Sequence, residues 1–425
     1  MESYYYNSST VLKYLRKVLN EINSEYVDNG IKTGFIMKRF AEKYKFNSDK
    51  AAKLVLLCIL KDIGSFYQDG IIPKDNDALA AASSYTFLKH CSPLGDAAKP
   101  LLFYKALYMP DIDNDDYYCG LLITLIDQVV KYIYEKLTIN QIERRLVTDT
   151  TGKYHPDQIK KIIKLLRDDY IIDKLAEQNS LFVHETCSFV QNANYTDEEL
   201  LSYIDTTNFS FEFHNHETLG HTVTTAAIAR ELAKLIRLSE NQVNVVYLAA
   251  LLHDIGKIKI PVSILCHPGR LTLDEFQIMK KHVDYTAQIV EGSFSYKIVE
   301  AAASHHERLD GSGYPKGLKD RDLSIGAKIV SVADVASALY CKRSYKEEFP
   351  QDKIIEILTN EANNNKLDKR IVDRFIDYID TIMDVAREKE AEVLKKYEDM
   401  KSEYEVLSES EQLHRFFERG ESYSN

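Results

Sequence analysis

Apolar residues recur along most of the chain three and four positions apart, the spacing of a helix with one face turned to a core. No stretch sustains the alternation of a half-buried strand. Residues that punctuate turns are scarce, with 16 glycines and 9 prolines. The pattern predicts an all-α protein. Its clearest helix opens at Ser239-Glu-Asn-Gln242, the residue types of a capping box, and carries Val243, Val246, Tyr247, Ala250 and Leu251 on one side. That core-facing helix delivers the polar pair His253-Asp254 inward at its end.

At 425 residues the chain exceeds one ordinary core, so two domains are expected. Residues 186–208 lose apolar periodicity and gain Asn and Thr, which marks a boundary between a domain at 1–190 and another at 205–390. Residues 385–418 are rich in Glu and Lys at helical spacing and read as a long solvated helix, with 391–425 as a tail. An eroded internal repeat is also legible. Lys61-Asp62-Ile63-Gly64 parallels His253-Asp254-Ile255-Gly256, Ser84-Tyr85-Thr86 parallels Asp284-Tyr285-Thr286, and the runs ending in Asp127 and Asp334 match, as do those ending in Ile159 and Ile371. In this register Lys61 replaces His253, Ala82 faces His282, Lys105-Ala106 face His305-His306, and Phe35 falls near His221. The N-terminal half reads as a copy of the same fold without the histidines, suited to a regulatory, dimerising or partner-binding role.

Charge and cysteine usage narrow the class. A net charge of −11 argues against a protein that tracks nucleic-acid polymers, which need a basic surface, so any anionic ligand must be drawn by a local site. Six scattered cysteines without a CxxC pair read as reduced thiols that pack. The N-terminus lacks a signal-peptide pattern, and the apolar runs fall short of the ~20 residues that cross a bilayer. A cytoplasmic protein without a membrane span is expected.

Eight of the twelve histidines lie between His214 and His306. Glu217 and His221 share a helix face at i, i+4, His253-Asp254 offers an imidazole beside a carboxylate able to bridge two cations, and His282 and His305-His306 follow. Asp334 sits in the apolar run Ile329-Val-Ser-Val-Ala-Asp334-Val-Ala, where a carboxylate needs a positive partner. Five imidazoles and three carboxylates without a thiolate suit two or three six-coordinate ions, iron or manganese, rather than one tetrahedral zinc. Paired ions activate a bridging hydroxide and neutralise a phosphoryl group, so the expected reaction is P–O bond hydrolysis. His214, His216 and His267 read as surface or loop residues.

The run His305-His306-Glu307-Arg308-Leu309-Asp310-Gly311-Ser312-Gly313-Tyr314-Pro315, with Leu252-His253-Asp254-Ile255-Gly256-Lys257, Ile260-Pro261 and Pro268-Gly269, resembles the HD-GYP family from about Thr218 to Lys346. The resemblance implies a helical metallohydrolase that cleaves cyclic di-GMP, with cyclic GMP-AMP as a substrate of some members. It maps Glu217, His221, His253, Asp254, His282, His305, His306 and Asp334 onto metal ligands, Glu217 marking members able to hold three ions. It places Asp254 and Lys257 in catalysis, and Lys257, Gly313, Tyr314, Arg343 and Lys346 at the substrate. Ser337 departs from the Asp that many members carry there.

The reading is therefore a metal-dependent phosphodiesterase that opens cyclic di-GMP to pGpG and on toward GMP. Two alternatives stand beside it. One is a receptor or scaffold that binds a cyclic dinucleotide without turnover, and the other is an HD phosphohydrolase acting on mononucleotides. A homodimer or a signalling partner would engage the N-terminal domain.

Overall fold

The computed structural model describes residues 7–64, 76–148, 152–176, 181–191, 195–212, 220–267, 269–340 and 349–418. The regular elements among these residues are all helices, with two isolated β-bridges, Glu291 with Phe294 and Asp310 with Lys319. The fold is all-α. No helix among them is long and apolar enough to cross a membrane. The chain forms two compact units, Met1–Glu21 with Thr207–Lys396 and Ile22–Thr206 with Tyr397–Asn425.

The first of these units is built around helix Glu240–Leu252. Gln242 Oε1 accepts from Ser239 N at 3.1 Å, the reach-back bond of the expected capping box. Val243, Val245, Val246 and Leu248 to Leu252 are all buried, so this helix is enclosed on nearly every side. Helices His221–Leu235, Tyr296–Ala303 and Ile325–Tyr340 pack on it. A 3-10 turn, Ile255–Lys259, follows and lies against helix His282–Val290. Only glycine permits that approach, because a Cβ on Gly256 would lie 2.0 Å from His282 O. Gly256 N donates to Thr286 Oγ1 at 3.0 Å, and that hydroxyl donates to His253 O at 2.8 Å. Residues of the first helix, Ser8–Lys43, join this unit up to Glu21: Lys13 Nζ donates to Gly292 O at 2.6 Å, and Lys259 pairs with Glu21 at 3.0 Å. The helix is interrupted at Asn23, whose side chain caps the continuation through Glu25 N and Tyr26 N.

The stretch 186–208, read as the boundary between domains, contains parts of helices Leu181–Gln191 and Asp197–Glu212, and the two units divide within it, between Thr206 and Thr207. Its threonines satisfy themselves within the helices, Thr186 Oγ1 on Phe182 O and Thr206 Oγ1 on Ser202 O, both at 2.7 Å, so polar composition imitated a loop. Thr196 and Glu199 form a capping box that restarts the helix. The C-terminal stretch is not one solvated helix. Helix Ile379–Ser408 ends before Ser410, and Phe416 and Phe417 pack on Ala106, Tyr117 and Leu121, all within the unit of Ile22–Thr206 and Tyr397–Asn425.

Within Ile22–Thr206 and Tyr397–Asn425, the local layout around His253-Asp254 recurs with different side chains. Helix Ser48–Leu60 ends at Lys61-Asp62, and helix Asp115–Tyr134 carries Asp127. Gly64 N donates to Ser84 Oγ at 3.1 Å, as Gly256 N does to Thr286. Ser84 is thus the counterpart of Thr286, two residues from the alignment read in the sequence, and Ala80 rather than Ala82 takes the place of His282. The buried Lys61 ammonium pairs with Asp62 and lies 3.0 Å from Asp127 Oδ1, while Lys131 takes Asp127 Oδ2 at 2.8 Å. Against the upward push of burial, these two ammonium groups hold Asp127 down at about 2.

Removing a partner from a buried ion pair leaves a stranded charge, at a cost of about 3–5 kcal/mol. Lys61→Met is therefore expected to destabilise the protein by that order in urea titrations near neutral pH. Asp127, depressed in the folded state, contributes fully above the ordinary carboxylate range and loses its contribution as pH falls toward 2, so the gap between wild type and Lys61→Met narrows on acidification. A neutral-pH loss below about 1 kcal/mol contradicts this role for the ammonium.

Candidate metal centre

Four of the five expected imidazoles stand at or just beyond a helix end, where backbone carbonyls can orient them. His253 follows helix Glu240–Leu252, His305 follows Tyr296–Ala303, and His221 and His282 each begin a helix. In His253, His282 and His305 the Nδ1 atom lies 2.7 Å from the carbonyl three residues earlier, of Ala250, Met279 and Ala302. A carbonyl only accepts, so each Nδ1 carries the proton and each Nε2 presents a lone pair. Three side chains thereby turn Nε2 toward Asp254, His253 on the side of Oδ2 and His282 and His305 on the side of Oδ1.

The convergence is close. His282 Nε2 and His305 Nε2 are 3.3 Å apart, His221 Nε2 is 3.2 Å from Asp334 Oδ1, and His253 Nε2 is 3.2 Å from Asp254 Oδ2. Asp254 stands between two groups, its Oδ1 3.4 Å from His282 and 3.9 Å from His305, its Oδ2 3.8 Å from His221. His306 Nδ1 is 3.7 Å from Asp334 Oδ2. Potential ligand atoms fall into two sets, His221, His253 and Asp254, and His282, His305 and His306, each within 4.8 Å of one another.

Burial pushes His221, His282, His305 and His306 below the ordinary imidazole value, whereas Asp254 raises His253 against the downward push of its burial. His305 is pushed well below its ordinary value by burial and by His306 and His253, and His306 is pushed down to about 3, chiefly by burial. Asp254 and Asp334 are held well below the usual carboxylate range despite burial, Asp254 by His253 and Lys257 and Asp334 by His221 and His306. Lone pairs facing one another around buried carboxylates repel unless a cation lies among them. The buried atoms His253 Nε2 and Asp254 Oδ1 have no hydrogen-bond partner, which is the mark of ligand atoms. The residues fit divalent cations, and Asp254 is placed to serve two.

The sides of the site are unequal. His253 and His305 side chains are 0% exposed, whereas those of His306 and Lys257 are 23% and 17% exposed, so a ligand approaches along the His306 and Lys257 edge. Lys257 is reached through the 3-10 turn rather than a continued α-helix, and its ammonium contacts Asp254 Oδ2. Tyr314 lies half-buried with its ring 4.8 Å from that of His306. Gly313 makes its close approach to the chain itself: a Cβ there would lie 2.4 Å from Arg308 N and 2.5 Å from His306 O. Glu217, Arg343 and Lys346 lie outside the described residues, as do His214 and His216. His267 accepts from Gly269 N at 3.2 Å in a turn.

Two functional side chains were missed in the sequence. Glu307 is buried and accepts from Lys316 N at 2.7 Å and Leu318 N at 2.9 Å, which ties the Gly313-Tyr314 loop beneath His306. Its place directly after the histidine pair was the available signal. Ser337, also buried, holds His221 through Nδ1 at 3.0 Å, doing for that ring what carbonyls do for the other three.

Comparison with known proteins now adds to the geometry. The HD domain family matches residues 209–371, and those residues are an HD domain. The glycine-tyrosine-proline run at 313–315 lies within that match. The chain is similar to the 3'3'-cGAMP-specific phosphodiesterase 1 of Vibrio cholerae, 26% identical over 387 residues that cover 84% of this chain and 89% of that protein. It is similar to a cyclic di-GMP phosphodiesterase of Thermotoga maritima, 38% identical over 197 residues, 45% of this chain and 53% of that one. The chain thus spans only about half the length of the Thermotoga protein. A crystal structure of a cyclic GMP-AMP specific phosphodiesterase from V. cholerae shares the fold, with a TM-score of 0.53 at 16% identity, covering 88% of this chain and 98% of that one.

Because Ser337 orients His221, Ser337→Ala is expected to weaken metal affinity by about 10–100-fold while helicity is kept, as for other outer partners of ligating histidines. Competition of manganese with a chelating dye reads the change. Unaltered affinity contradicts an orienting role for Ser337.

Proposed function

We propose that the chain hydrolyses a phosphodiester bond of a cyclic dinucleotide, cyclic di-GMP or cyclic GMP-AMP, with two divalent cations of iron or manganese held by His221, His253, Asp254, His282, His305, His306 and Asp334. The observation that carries this reading is Asp254, one oxygen turned to each of two imidazole groups. Such a pair of cations supplies Lewis acidity to a phosphoryl oxygen and lowers the pKa of water. A third cation would require Glu217.

The protein's own residues do the rest. The carbonyl-held rings fix the donor set before substrate arrives, so no reorganisation is needed at the moment of reaction. Lys257, at the open edge, neutralises negative charge that grows on the phosphoryl oxygens. The oxygen of water bonds to phosphorus, the bond from phosphorus to the ribose 3′ oxygen breaks, and that oxygen takes a proton, giving linear pGpG from cyclic di-GMP. Arg343 and Lys346 follow Asp334 in sequence and are read as phosphate or base contacts. Both cyclic dinucleotides are named because the relative similar over most of this chain is specific for 3'3'-cGAMP, while the more identical one acts on cyclic di-GMP. The unit bearing Lys61 repeats the layout with an ammonium where the other unit has imidazole donors, and we read it as non-catalytic.

Full chain reconstituted with manganese or ferrous iron is expected to hydrolyse one or both cyclic dinucleotides. His253→Ala should lose at least about a thousandfold in kcat, since several kcal/mol of charge stabilisation depend on that donor set. Product analysis by chromatography measures both. Full activity in His253→Ala, or turnover that survives exhaustive chelation, would falsify the assignment.

A further inference from the structure

Helix Leu273–Lys280 flanks the site and has a sound start, with Thr272 N and Oγ1 both donating to Glu275 Oε2 at 2.8 Å, yet none of its residues is buried. Leu273 is 84% exposed and Phe276 41%. Helices in proteins are held chiefly by an apolar face against other structure, so open apolar residues on a capped helix beside a metal centre invite a ligand. Phe276 is linked to that centre by rings in sequence. It lies edge-on to Tyr314 at 6.3 Å, and Tyr314 lies 4.8 Å from His306. The Lys280 ammonium sits 4.8 Å from the Phe276 ring and 5.1 Å from the Tyr314 ring. Lys280 is half-buried, and no carboxylate among the described residues lies within ion-pair distance of it. In a chain of net charge −11 that is an unmatched cation at the entrance to a site for an anion.

A cyclic dinucleotide has two phosphates and two bases. With one phosphate at the cations, the remainder of the ring must extend along the His306 edge, where Tyr314, Lys280 and Phe276 stand. We infer that Phe276 and Lys280 form the subsite for the nucleotide that is not being cut, Phe276 stacking its purine and Lys280 pairing with the second phosphate. The inference rests on the cyclic-dinucleotide reading given under Proposed function. Stacking is tolerant of base identity because every purine offers a π-face. The subsite therefore selects a purine dinucleotide over a smaller diester without discriminating guanine from adenine.

The test compares manganese-loaded full-length wild type, Phe276→Ala, Phe276→Tyr and Lys280→Met on cyclic di-GMP, cyclic GMP-AMP and bis(para-nitrophenyl) phosphate, a diester with no purine and no second phosphate. Phe276→Ala is expected to raise KM about tenfold for each cyclic dinucleotide that wild type cleaves, in keeping with alanine substitution at other base-stacking rings, with kcat within about twofold. Phe276→Tyr should restore wild-type KM. Lys280→Met should raise KM for the same substrates and flatten its dependence on salt. The minimal diester should be cleaved equally by all four proteins. A Phe276→Ala KM within about twofold of wild type on the cyclic dinucleotides overturns the subsite alone, as does an equal loss on the minimal diester, which marks a structural role. Wild type that cleaves the minimal diester and neither cyclic dinucleotide overturns the substrate reading, and the subsite with it.

Discussion

Buried electron pairs without protons between them are the constraint on which this structure depends. In the HD domain, imidazole lone pairs from four elements meet around Asp254 and Asp334, all with low exposure. Backbone carbonyls take the Nδ1 face of three rings, so a tautomer change there would cost a hydrogen bond, and Ser337 holds the fourth, His221. Divalent cations held there would resolve the repulsion and would meet a prearranged donor set. The fold around the site follows the same need: an enclosed helix drives His253 inward, and Gly256 allows the next turn to touch the helix that bears His282.

The other unit answers the corresponding problem with an ammonium. Lys61 and Lys131 compensate Asp62 and Asp127 using charges the chain carries itself, so this core is neutralised without an ion from solution. One local layout thus has two electrostatic solutions. The first exposes reactive positions to a ligand, and the second closes them.

Much of this was legible before the structure. Helical period fixed the fold class, and the capping residues Ser239 and Gln242 located the helix that delivers His253-Asp254. The ligand-capable side chains that the structure brings together were those picked out by residue type and company. What escaped depends on contacts distant in sequence. Ser337 was read as a departure from a base contact, because nothing local reveals that its hydroxyl meets a ring 116 positions away. The helices inside the boundary stretch at 186–208 were not legible, because threonine hydroxyls that satisfy themselves within a helix look polar in sequence. The repeat was visible but its register was not, since Ser84 and Thr86 are equally plausible partners for Thr286 until the hydrogen bond of Gly64 is seen.

Both units bear on one quantity, the number of tightly bound divalent cations per chain. Plasma mass spectrometry of the full chain, reconstituted without oxygen and freed of excess ions, measures it directly. The account predicts two equivalents in wild type, or three where Glu217 contributes, and a count unchanged in Asp127→Asn, because the ammonium-filled unit holds none. Fewer than two equivalents in folded wild type, or a loss of metal on changing Asp127, would contradict it.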